Sequence, residues 1–277
     1  MQKIIVIVGP TGIGKTSFAI EVARSVGAEI VNADSVQLYK RLDIGSAKPD
    51  RAELAQARHH LIDFLDPELE FDAGQFMTLA DQAIADIAGR GKQVVVAGGT
   101  GFYVKALLHG LFRSRRVCEK TIRALEAEAR TLGAGCLHER LSACDPRAAD
   151  RIHPNDTFRV VRALEVFQTT GQTISSRQQD HGFGSDRYDA LQIGLTMDRD
   201  ALYRRINQRV DIMLEQGLLD EVKALVKDGY SLNLKSLQTI GYRQMGLFLE
   251  NRVDWKEAVR LLKRDTRRYA KRQMTWF

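Results

Sequence analysis

Eight residues near the start of the chain have the pattern of a phosphate-binding loop. The segment GPTGIGKT follows the apolar run IIVIV and occupies positions 9–16. Small residues let the backbone wrap an anion so that successive N–H groups point at its oxygens, and the following helix adds a favourable dipole. In this pattern Lys15 supplies a positive charge and the Thr16 hydroxyl a ligand for Mg²⁺. The residues predicted to bind a diphosphate or a nucleotide are Gly9, Pro10, Thr11, Gly12, Ile13, Gly14, Lys15 and Thr16.

A second chemical group is predicted at the end of another strand. An ordinary P-loop ATPase requires a carboxylate after a second buried strand to hold the magnesium shell, but the strand VVVAGG ends without an acid. The segment EIVNADS instead gives Asp34, followed by Ser35. A carboxylate at the carboxyl end of a parallel strand, on the same side as the P-loop, is positioned to meet a substrate. Spacing alone leaves open whether Asp34 does so or caps the next helix.

The segments that carry these groups alternate between strand and helix patterns. KIIVIV, AEIVNAD and KQVVVAGG are apolar enough to be buried strands, whereas TSFAIEVARSV and FMTLADQAIADIAGR have the apolar spacing of helices. Buried strands that alternate with helices indicate a parallel sheet. We therefore predict an α/β fold with a P-loop NTPase-like core, in which a parallel sheet is flanked by helices.

The middle of the chain has a different character. From about residue 113 the segments are helical and rich in Ala, Arg and Glu, and no strand pattern returns until ALQIGLTM. We predict a first part of the core over residues 1–112, a helical insertion over 113–185, and a continuation of the core with basic C-terminal helices over 186–277. Within that continuation, RDALYRRINQRVDIMLEQG is an amphipathic helix for which Gly217 is the expected C-cap.

Composition and charge limit the class of protein. The chain has 277 residues, of which 44% are hydrophobic, so it can bury a sizeable core. Its net charge is +6, and residues 252–277 contain nine Lys and Arg against three acidic residues. Such a segment favours contact with nucleic acid over a merely solvated face. Three cysteines without a CxxC pair suggest neither disulfides nor zinc, and no apolar run is long enough to span a membrane, so we expect a cytoplasmic protein.

The P-loop followed by NADSVQLYKRLDIGSAKP resembles the tRNA dimethylallyltransferases, also called tRNA isopentenyltransferases. The likeness continues in the family's order through HHLID, VVVAGGTGFYVKALLHGL, RIHPNDTFRVVRALEV, RINQRVDIMLEQGLLDEV, IGYRQM and KRQMTWF. It covers nearly the whole chain. The zinc-finger extension of eukaryotic relatives is not found in the sequence, so a bacterial member of the family is expected.

The resemblance implies an activity. In this family, dimethylallyl diphosphate donates its allylic group to N6 of the adenosine on the 3′ side of the anticodon, which gives N6-isopentenyladenosine and diphosphate. The P-loop then holds a leaving group with Mg²⁺ as cofactor, which fits the missing ATPase carboxylate because no phosphoryl group is transferred. The implied partners are dimethylallyl diphosphate and the anticodon arm of a tRNA with an A-A-A run after the anticodon. The target adenine must leave its stack to react. A monomer is taken as the default.

Catalytic roles follow from the same resemblance. Asp34 corresponds to the general base that takes the proton from N6, and Thr11 to a second polar contact in the reaction centre. Arg209, together with Lys15 and the Mg²⁺ at Thr16, corresponds to the charges that neutralise the departing diphosphate. From the residues alone, Arg209 is equally consistent with a solvent-facing charge on an amphipathic helix. Arg205, one turn earlier on the same face, favours a phosphate-facing cluster.

The resemblance also implies a set of tRNA contacts. Within it, Gln37 has a side chain that can read a base edge through paired hydrogen bonds. Asp156 is expected to cap the helix that carries residues 158–162, and Val160 on that helix fits a plain core stripe as well. The residues predicted to contact tRNA are Asp34, Ser35, Val36, Gln37, Thr100, Arg123, Phe158, Arg159, Val160, Val161, Arg162, Tyr242 and Arg243.

Three other functions compete with this one. An adenylate isopentenyltransferase uses the same donor on a free nucleotide, but it needs neither the helical insertion nor the basic C-terminal segment. A P-loop kinase or ATPase requires the missing magnesium-shell carboxylate, although a nucleotide can occupy such a loop without being the substrate. A basic RNA-binding module with a degenerate nucleotide site would not be expected to keep both Lys15 and Thr16.

Overall fold

The structure is a computed structural model that describes residues 1–111, 118–182 and 184–277. The chain forms two compact units, of which the first combines Met1–Leu108 with Arg187–Phe277 and the second is His109–Asp186. The predicted boundary between residues 112 and 113 lies outside the described residues. The predicted return to the core at residue 186 compares with Arg187 in the structure.

The first unit is built on a parallel sheet. In the described part of the chain the sheet has five strands, namely β1 Lys3–Val8, β2 Ala28–Asn32, β3 His59–His60, β4 Gln93–Ala97 and β5 Asp189–Gly194. Their order across the sheet is β3-β2-β4-β1-β5, and every neighbouring pair is parallel. Val6 and Val96 pair in the middle of the sheet and are wholly buried. The apolar runs of β1 and β4 are typical of parallel strands whose two faces are both covered.

Thirteen helices occur within the described residues. They are α1 Lys15–Val26, α2 Arg51–Gln56, α3 Ala73–Gly89, α4 Gly101–His109, α5 Glu119–Leu132, α6 Ala134–Cys144, α7 Pro146–Ala149, α8 Thr157–Thr170, α9 Ile174–His181, α10 Arg199–Glu215, α11 Leu218–Lys227, α12 Tyr242–Leu249 and α13 Trp255–Trp276. With a P-loop between β1 and α1, the first unit has the P-loop NTPase-like fold that the sequence predicts. None of the helices in the described ranges is long and apolar enough to cross a bilayer.

The structure corrects one local expectation. Gly217 is not the C-cap of α10, which ends at Glu215 and has Gln216 as its C-cap; it is instead the N-cap of α11, with a φ of 96°. The left-handed conformation suits glycine, so the sequence signal was right about the backbone but assigned it to the wrong helix. Helix α9 begins after Thr173, whose hydroxyl caps the helix by accepting the Ser176 N–H.

The second unit is a small helical body with its own core. Helices α5, α6 and α8 pack together around Leu125, Leu137, Leu141 and Leu164. Asp156 caps α8 as predicted, because its Oδ1 accepts the Arg159 N–H at 3.2 Å. Burying each of these leucine side chains contributes about 2 kcal/mol before entropy is counted, which is enough for the cluster to organise the unit.

Two predicted tRNA contacts lie in that core. Val160 and Val161 are 0% and 3% exposed and pack with Leu164. Their side chains are therefore not available to RNA, and the prediction is corrected for both. The physical reason is the helical repeat, since in a five-residue block on α8 some positions must face the core while others face solvent.

A buried carboxylate lies at the amino end of β2, which is the opposite end of the parallel sheet from the P-loop. Glu29 is 1% exposed, and its oxygens are bound by His60 Nε2 at 2.7 Å, Arg90 Nη2 at 2.8 Å and Lys92 Nζ at 2.9 Å. The hydrogen bonds from Arg90, aided by His60 and Lys92, hold the pKa of Glu29 far below its usual range despite its burial. His60 therefore has a structural role in this network.

Candidate functional site

The site lies at the carboxyl ends of three neighbouring strands. The P-loop follows β1, Asp34 follows β2, and residues 98–100 follow β4, which lies between the other two strands. These ends approach one another closely: the Gly98 N–H donates to Ile7 O at 3.2 Å, and a Cβ built on Gly98 would lie 2.1 Å from Ala33 O. Only glycine fits there, so the GG pair of the sequence brings the three segments together.

The P-loop presents a partly dehydrated lysine. Gly14 has a φ of 101° and forms the N-cap of α1, so the loop turns directly into the helix N-terminus. Lys15 Nζ donates to Pro10 O at 2.9 Å. Burial lowers the pKa of Lys15 to about 8, with Arg209 acting in the same direction and Asp34 opposing both. An anion in the loop would restore the charged form of this lysine.

Helix α10 brings two arginines to the same loop. A Cβ built on Gly12 would lie 3.0 Å from Ile206 Cγ1, and one built on Gly14 would lie 3.4 Å from Arg205 Nη2. Arg209 lies one turn further along α10, where burial lowers its pKa and the nearby Asp34 opposes that effect. The phosphate-facing alternative for Arg209 therefore has the better support, because a solvent-facing arginine would not be dehydrated.

Asp34 has one occupied and one open oxygen. Its Oδ1 accepts the backbone N–H groups of Val36 at 2.9 Å and Gln37 at 3.3 Å. No hydrogen bond to Oδ2 is found within the described parts of the chain. Oδ1 therefore accepts backbone N–H groups as a capping residue does, while Oδ2 can accept a proton or a hydrogen bond from a substrate.

Thr100 joins the loops after β2 and β4. Its hydroxyl accepts the Ser35 N–H at 3.0 Å and donates to the Ser35 hydroxyl at 3.2 Å. The phenol of Tyr269 on α13 interacts with the same threonine, and burial raises the pKa of Tyr269 to about 12. Tyr269 therefore stays protonated at neutral pH and adds a polar neutral group beside Asp34.

Gln37 is held by a neighbouring loop. Its Nε2 donates to Ser46 O at 3.3 Å and Ala47 O at 3.0 Å. A paired contact with a base edge would use Nε2 as well as Oε1. In this arrangement the contact requires the side chain to release the loop carbonyls.

The structure corrects the expected role of Tyr242. The residue is 0% exposed, and its hydroxyl donates to Glu221 at 2.6 Å. Glu221 also accepts the backbone N–H groups of residues 43–45 at 2.8 to 3.2 Å. Tyr242 therefore supports the loop that holds Gln37 rather than contacting RNA. Its aromatic ring is buried against Gly45, where a Cβ would lie 2.6 Å from the ring.

Other predicted tRNA contacts lie in the second unit. Phe158 is 76% exposed although it is large and apolar. Arg123 pairs with Glu119 and Arg159 with Asp156, both at 3.2 Å, and both arginines keep most of their surface in solvent. Arg162 pairs with the buried Glu165 and is only a quarter exposed. An exposed phenylalanine beside a solvated arginine is a suitable surface for stacking on a base.

The basic face of α13 is smaller than the sequence suggests. Lys263 pairs with Asp211 at 2.5 Å, and Arg264 with Asp265 at 2.8 Å. Arg243 lies 3.7 Å from the same Asp265 and remains half exposed. Four exposed cations of α13 have no acidic partner among the described residues, namely Lys256, Arg268, Lys271 and Arg272.

The residues present fit Mg²⁺ held mainly by a substrate. The Thr16 hydroxyl lies in the first turn of α1 beside Lys15, and it makes no hydrogen bond within the described residues. Those residues contain no group of three or more His, Cys, Asp and Glu side chains that could hold a metal. Mg²⁺ is commonly bound by one or two protein oxygens plus the phosphates of a substrate, and a lone hydroxyl beside an anion site suits that arrangement.

Two supporting residues were missed by the sequence analysis. Gln273 on α13 is 5% exposed, and Glu221 organises the loop over residues 43–45. Both lie inside segments that carry the family resemblance, but neither belongs to a local motif. An uncharged amide in the otherwise cationic end of α13 was the one available signal for Gln273.

The sequence of this chain is similar to those of known proteins over nearly its whole length. A family model described as IPP transferase matches residues 37–277. The tRNA dimethylallyltransferase of Desulfosudis oleivorans is 50% identical over 275 residues, which is 99% of this chain and 88% of that protein. The tRNA dimethylallyltransferase of Geobacter metallireducens is 47% identical, with 99% and 89% of the two chains covered.

Two solved structures have folds similar to that of this chain. The crystal structure of a tRNA isopentenylpyrophosphate transferase from Bacillus halodurans superposes with a TM-score of 0.74 at 42% identity, covering 100% of this chain and 87% of that one. A eukaryotic dimethylallyltransferase captured acting on tRNA gives a TM-score of 0.85 at 31% identity, covering 100% and 70%. The family model begins at Gln37, whereas the alignments with these relatives cover 99–100% of this chain and therefore include the P-loop and Asp34.

Proposed function

This chain belongs to the tRNA dimethylallyltransferase family, also described as IPP transferases, and from that premise we propose that it prenylates N6 of an adenosine in tRNA. The donor is dimethylallyl diphosphate, and the acceptor is the adenosine on the 3′ side of the anticodon. The observation that carries this proposal is the open Oδ2 of Asp34, which stands among the cations of a P-loop.

The first requirement of the reaction is that the negative charge on the departing diphosphate is stabilised. As the N6–C1 bond forms, the bond from C1 to the diphosphate oxygen breaks, and its electron pair leaves with the diphosphate. Lys15, Arg205 and Arg209 surround the loop where that negative charge would grow. Bound Mg²⁺ would supply further charge neutralisation, with the Thr16 hydroxyl as its protein ligand. Positive charge fixed in a dehydrated loop stabilises a departing anion more than the same charge in water.

The second requirement is that the adenine amine loses a proton to a base. An exocyclic amine on adenine is a poor nucleophile and must lose a proton as its new bond forms. Asp34 is fixed by the Val36 and Gln37 amides, so its free oxygen is already oriented and can take that proton. Thr11 lies on the P-loop and is the second polar group at the reaction centre.

RNA binding is assigned to exposed and half-buried residues of both units. In the first unit these are the segment over residues 34–37, Thr100, Arg243 and the exposed cations of α13. In the second unit they are Arg123, Phe158, Arg159 and Arg162. Cations bind the phosphates regardless of sequence, whereas Gln37 and Phe158 have side chains that suit base edges and base faces.

The rival acceptor is free AMP, and one assay separates the two. The protein is incubated with Mg²⁺, radiolabelled dimethylallyl diphosphate and either unmodified tRNA with an A-A-A run after the anticodon or AMP. Label that enters tRNA alone, recovered as N6-isopentenyladenosine after nuclease digestion, supports the proposal. Label in AMP alone would assign the protein to the adenylate enzymes. ATP turnover without transfer to either acceptor would contradict the proposal.

A further inference from the structure

One buried amide connects the P-loop to the loop after β4. Gln273 lies near the end of α13, and its side chain is nearly enclosed, with 5% of the residue exposed. Its Oε1 accepts the Thr11 N–H at 2.8 Å, and its Nε2 donates to Gly99 O at 2.8 Å. Both bonds have the length of well-formed hydrogen bonds, and they reach two segments that come from different strands.

The surrounding backbone leaves little space for the amide to move. A Cβ built on Gly99 would lie 2.3 Å from Gln273 Nε2 and 3.4 Å from Lys15 Nζ. Two residues further on, a Cβ built on Gly101, the first residue of α4, would lie 2.1 Å from the ring of Trp276, which is also on α13. The end of α13 is therefore seated directly on residues 99–101, and the two glycines allow that close approach.

The chemistry of the amide suits this place. A neutral primary amide offers both an acceptor and a donor, so one group can satisfy an N–H and a carbonyl together. A buried backbone group left without a partner carries a desolvation penalty. The Thr11 N–H is bonded before any ligand arrives, so the backbone of the P-loop at Thr11 is fixed in the free protein.

We propose that Gln273 is a positioning residue for the transfer reaction, which holds Thr11 and the Thr100 segment in fixed relation to each other. This inference rests on the proposed function, because Thr11 and Thr100 matter only if the reaction takes place between them. Gln273 acts through these residues and touches no reacting atom. Preorganised polar groups of this kind contribute to the rate because they need no rearrangement when the charge develops.

The test replaces the amide and keeps its bulk. Gln273→Met has a similar length and no hydrogen-bonding amide. Its matched control is Gln244→Met on α12, since Gln244 is 1% exposed and also makes two hydrogen bonds, from the Gly241 N–H at 2.9 Å and to Asp265 at 2.9 Å. Both variants remove two hydrogen bonds of a buried amide, but only Gln273→Met removes one that reaches the P-loop.

The readouts are the single-turnover transfer rate at saturating tRNA and donor, the Kd for tRNA, and the midpoint of thermal unfolding. Gln273→Met is expected to lower the transfer rate by about ten- to a hundredfold, with the Kd for tRNA within about twofold of wild type. Gln244→Met is expected to lose a similar amount of thermal stability and to keep its transfer rate within about twofold.

A second variant guards against a failure of Gln273→Met to fold. Gly99→Ala keeps the amide but pushes it away from the Thr11 N–H, and we expect the same selective loss of rate. The inference is overturned if the position 273 variant, or Gly99→Ala in its place, transfers as fast as wild type, or if Gln244→Met loses as much rate as Gln273→Met. Wild-type protein that transfers nothing would instead contradict the proposed function itself.

Discussion

Tyr242 donates its hydroxyl to Glu221 at 2.6 Å, and the same carboxylate holds the backbone N–H groups at the start of the loop that binds Gln37. Tyr242, which the sequence predicts to contact tRNA, therefore stabilises the loop that holds Gln37, another predicted tRNA contact. Burial of Tyr242 raises the pKa of its phenol, with the Glu221 carboxylate adding to the effect, so the phenol remains a donor at any physiological pH.

Tyr242→Phe removes that donor and keeps the ring. We expect the free energy of unfolding to fall by about 1–2 kcal/mol, because Glu221 loses a buried hydrogen bond. The Kd for tRNA should stay within about threefold of wild type, since the side chain is inaccessible to RNA. Denaturant unfolding and equilibrium RNA binding measure the two quantities. A tenfold weaker tRNA complex with unchanged stability would show that Tyr242 contacts RNA.

The basic face of α13 makes a prediction about salt. Arg268→Ala removes one exposed cation that has no acidic partner among the described residues. The affinity for tRNA should fall, and the slope of log affinity against log salt should decrease by about one, because one fewer counterion is released. Lys3→Ala is the matched control, since Lys3 is exposed at the opposite end of β1 from the P-loop. Equal effects of the two substitutions would remove α13 from the RNA-binding surface.

Donor binding should depend on pH through Lys15. Its pKa of about 8 in the free protein means that part of the population is uncharged at alkaline pH, whereas a bound diphosphate favours the charged form. The affinity for dimethylallyl diphosphate should therefore fall as the pH rises above about 8, by up to roughly tenfold per pH unit. Titrations from pH 7 to 9.5 measure this dependence.

Lys15→Arg provides the control for that dependence, because the guanidinium stays charged throughout the range. The variant should bind the donor with an affinity that does not decline between pH 7 and 9.5. A wild-type affinity that is flat over the same range would contradict the account of Lys15.

The Glu29 network makes a prediction about stability. Glu29→Gln leaves Arg90 and Lys92 beside a neutral group, and we expect the free energy of unfolding at pH 7 to fall by about 2–3 kcal/mol. The pKa of Glu29 is depressed in the folded state, so its contribution is present above the unfolded value of about 4.3 and is lost as the pH falls towards the folded value. The difference between wild type and variant should therefore be smaller at pH 3.5 than at pH 7. A difference that is equal at both pH values would contradict this assignment.

The sequence predicts the parts of this protein that depend on local pattern. The strands β1, β2, β4 and β5, the P-loop and the N-cap of α8 each follow from a few neighbouring residues. The two-residue strand β3 is too short for any periodicity, so it was missed. The place of Asp34 beside the P-loop follows from a general rule about parallel sheets, and the structure agrees with it.

Hydrogen bonds between residues far apart in the sequence could not be predicted from local sequence patterns. Gln273 lies 262 positions from Thr11, and Glu221 lies 177 positions from Ile44. Neither pair shares a spacing rule, because each contact arises from how α11 and α13 pack in the first unit. For Val160 and Tyr242 the limit was different: a motif indicates which residues matter, but not whether a side chain faces solvent or the core.

The most direct test of the account is the rate of the chemical step in Asp34→Asn. This substitution keeps an oxygen that can accept the Val36 and Gln37 amides, and it removes the group that takes the N6 proton. In single turnovers with saturating tRNA and dimethylallyl diphosphate, the account predicts a transfer rate about 10²- to 10⁴-fold below wild type, with the Kd values for both substrates within a few-fold. A transfer rate within about threefold of wild type, measured on a fully bound complex, would contradict the assignment of Asp34 as the base.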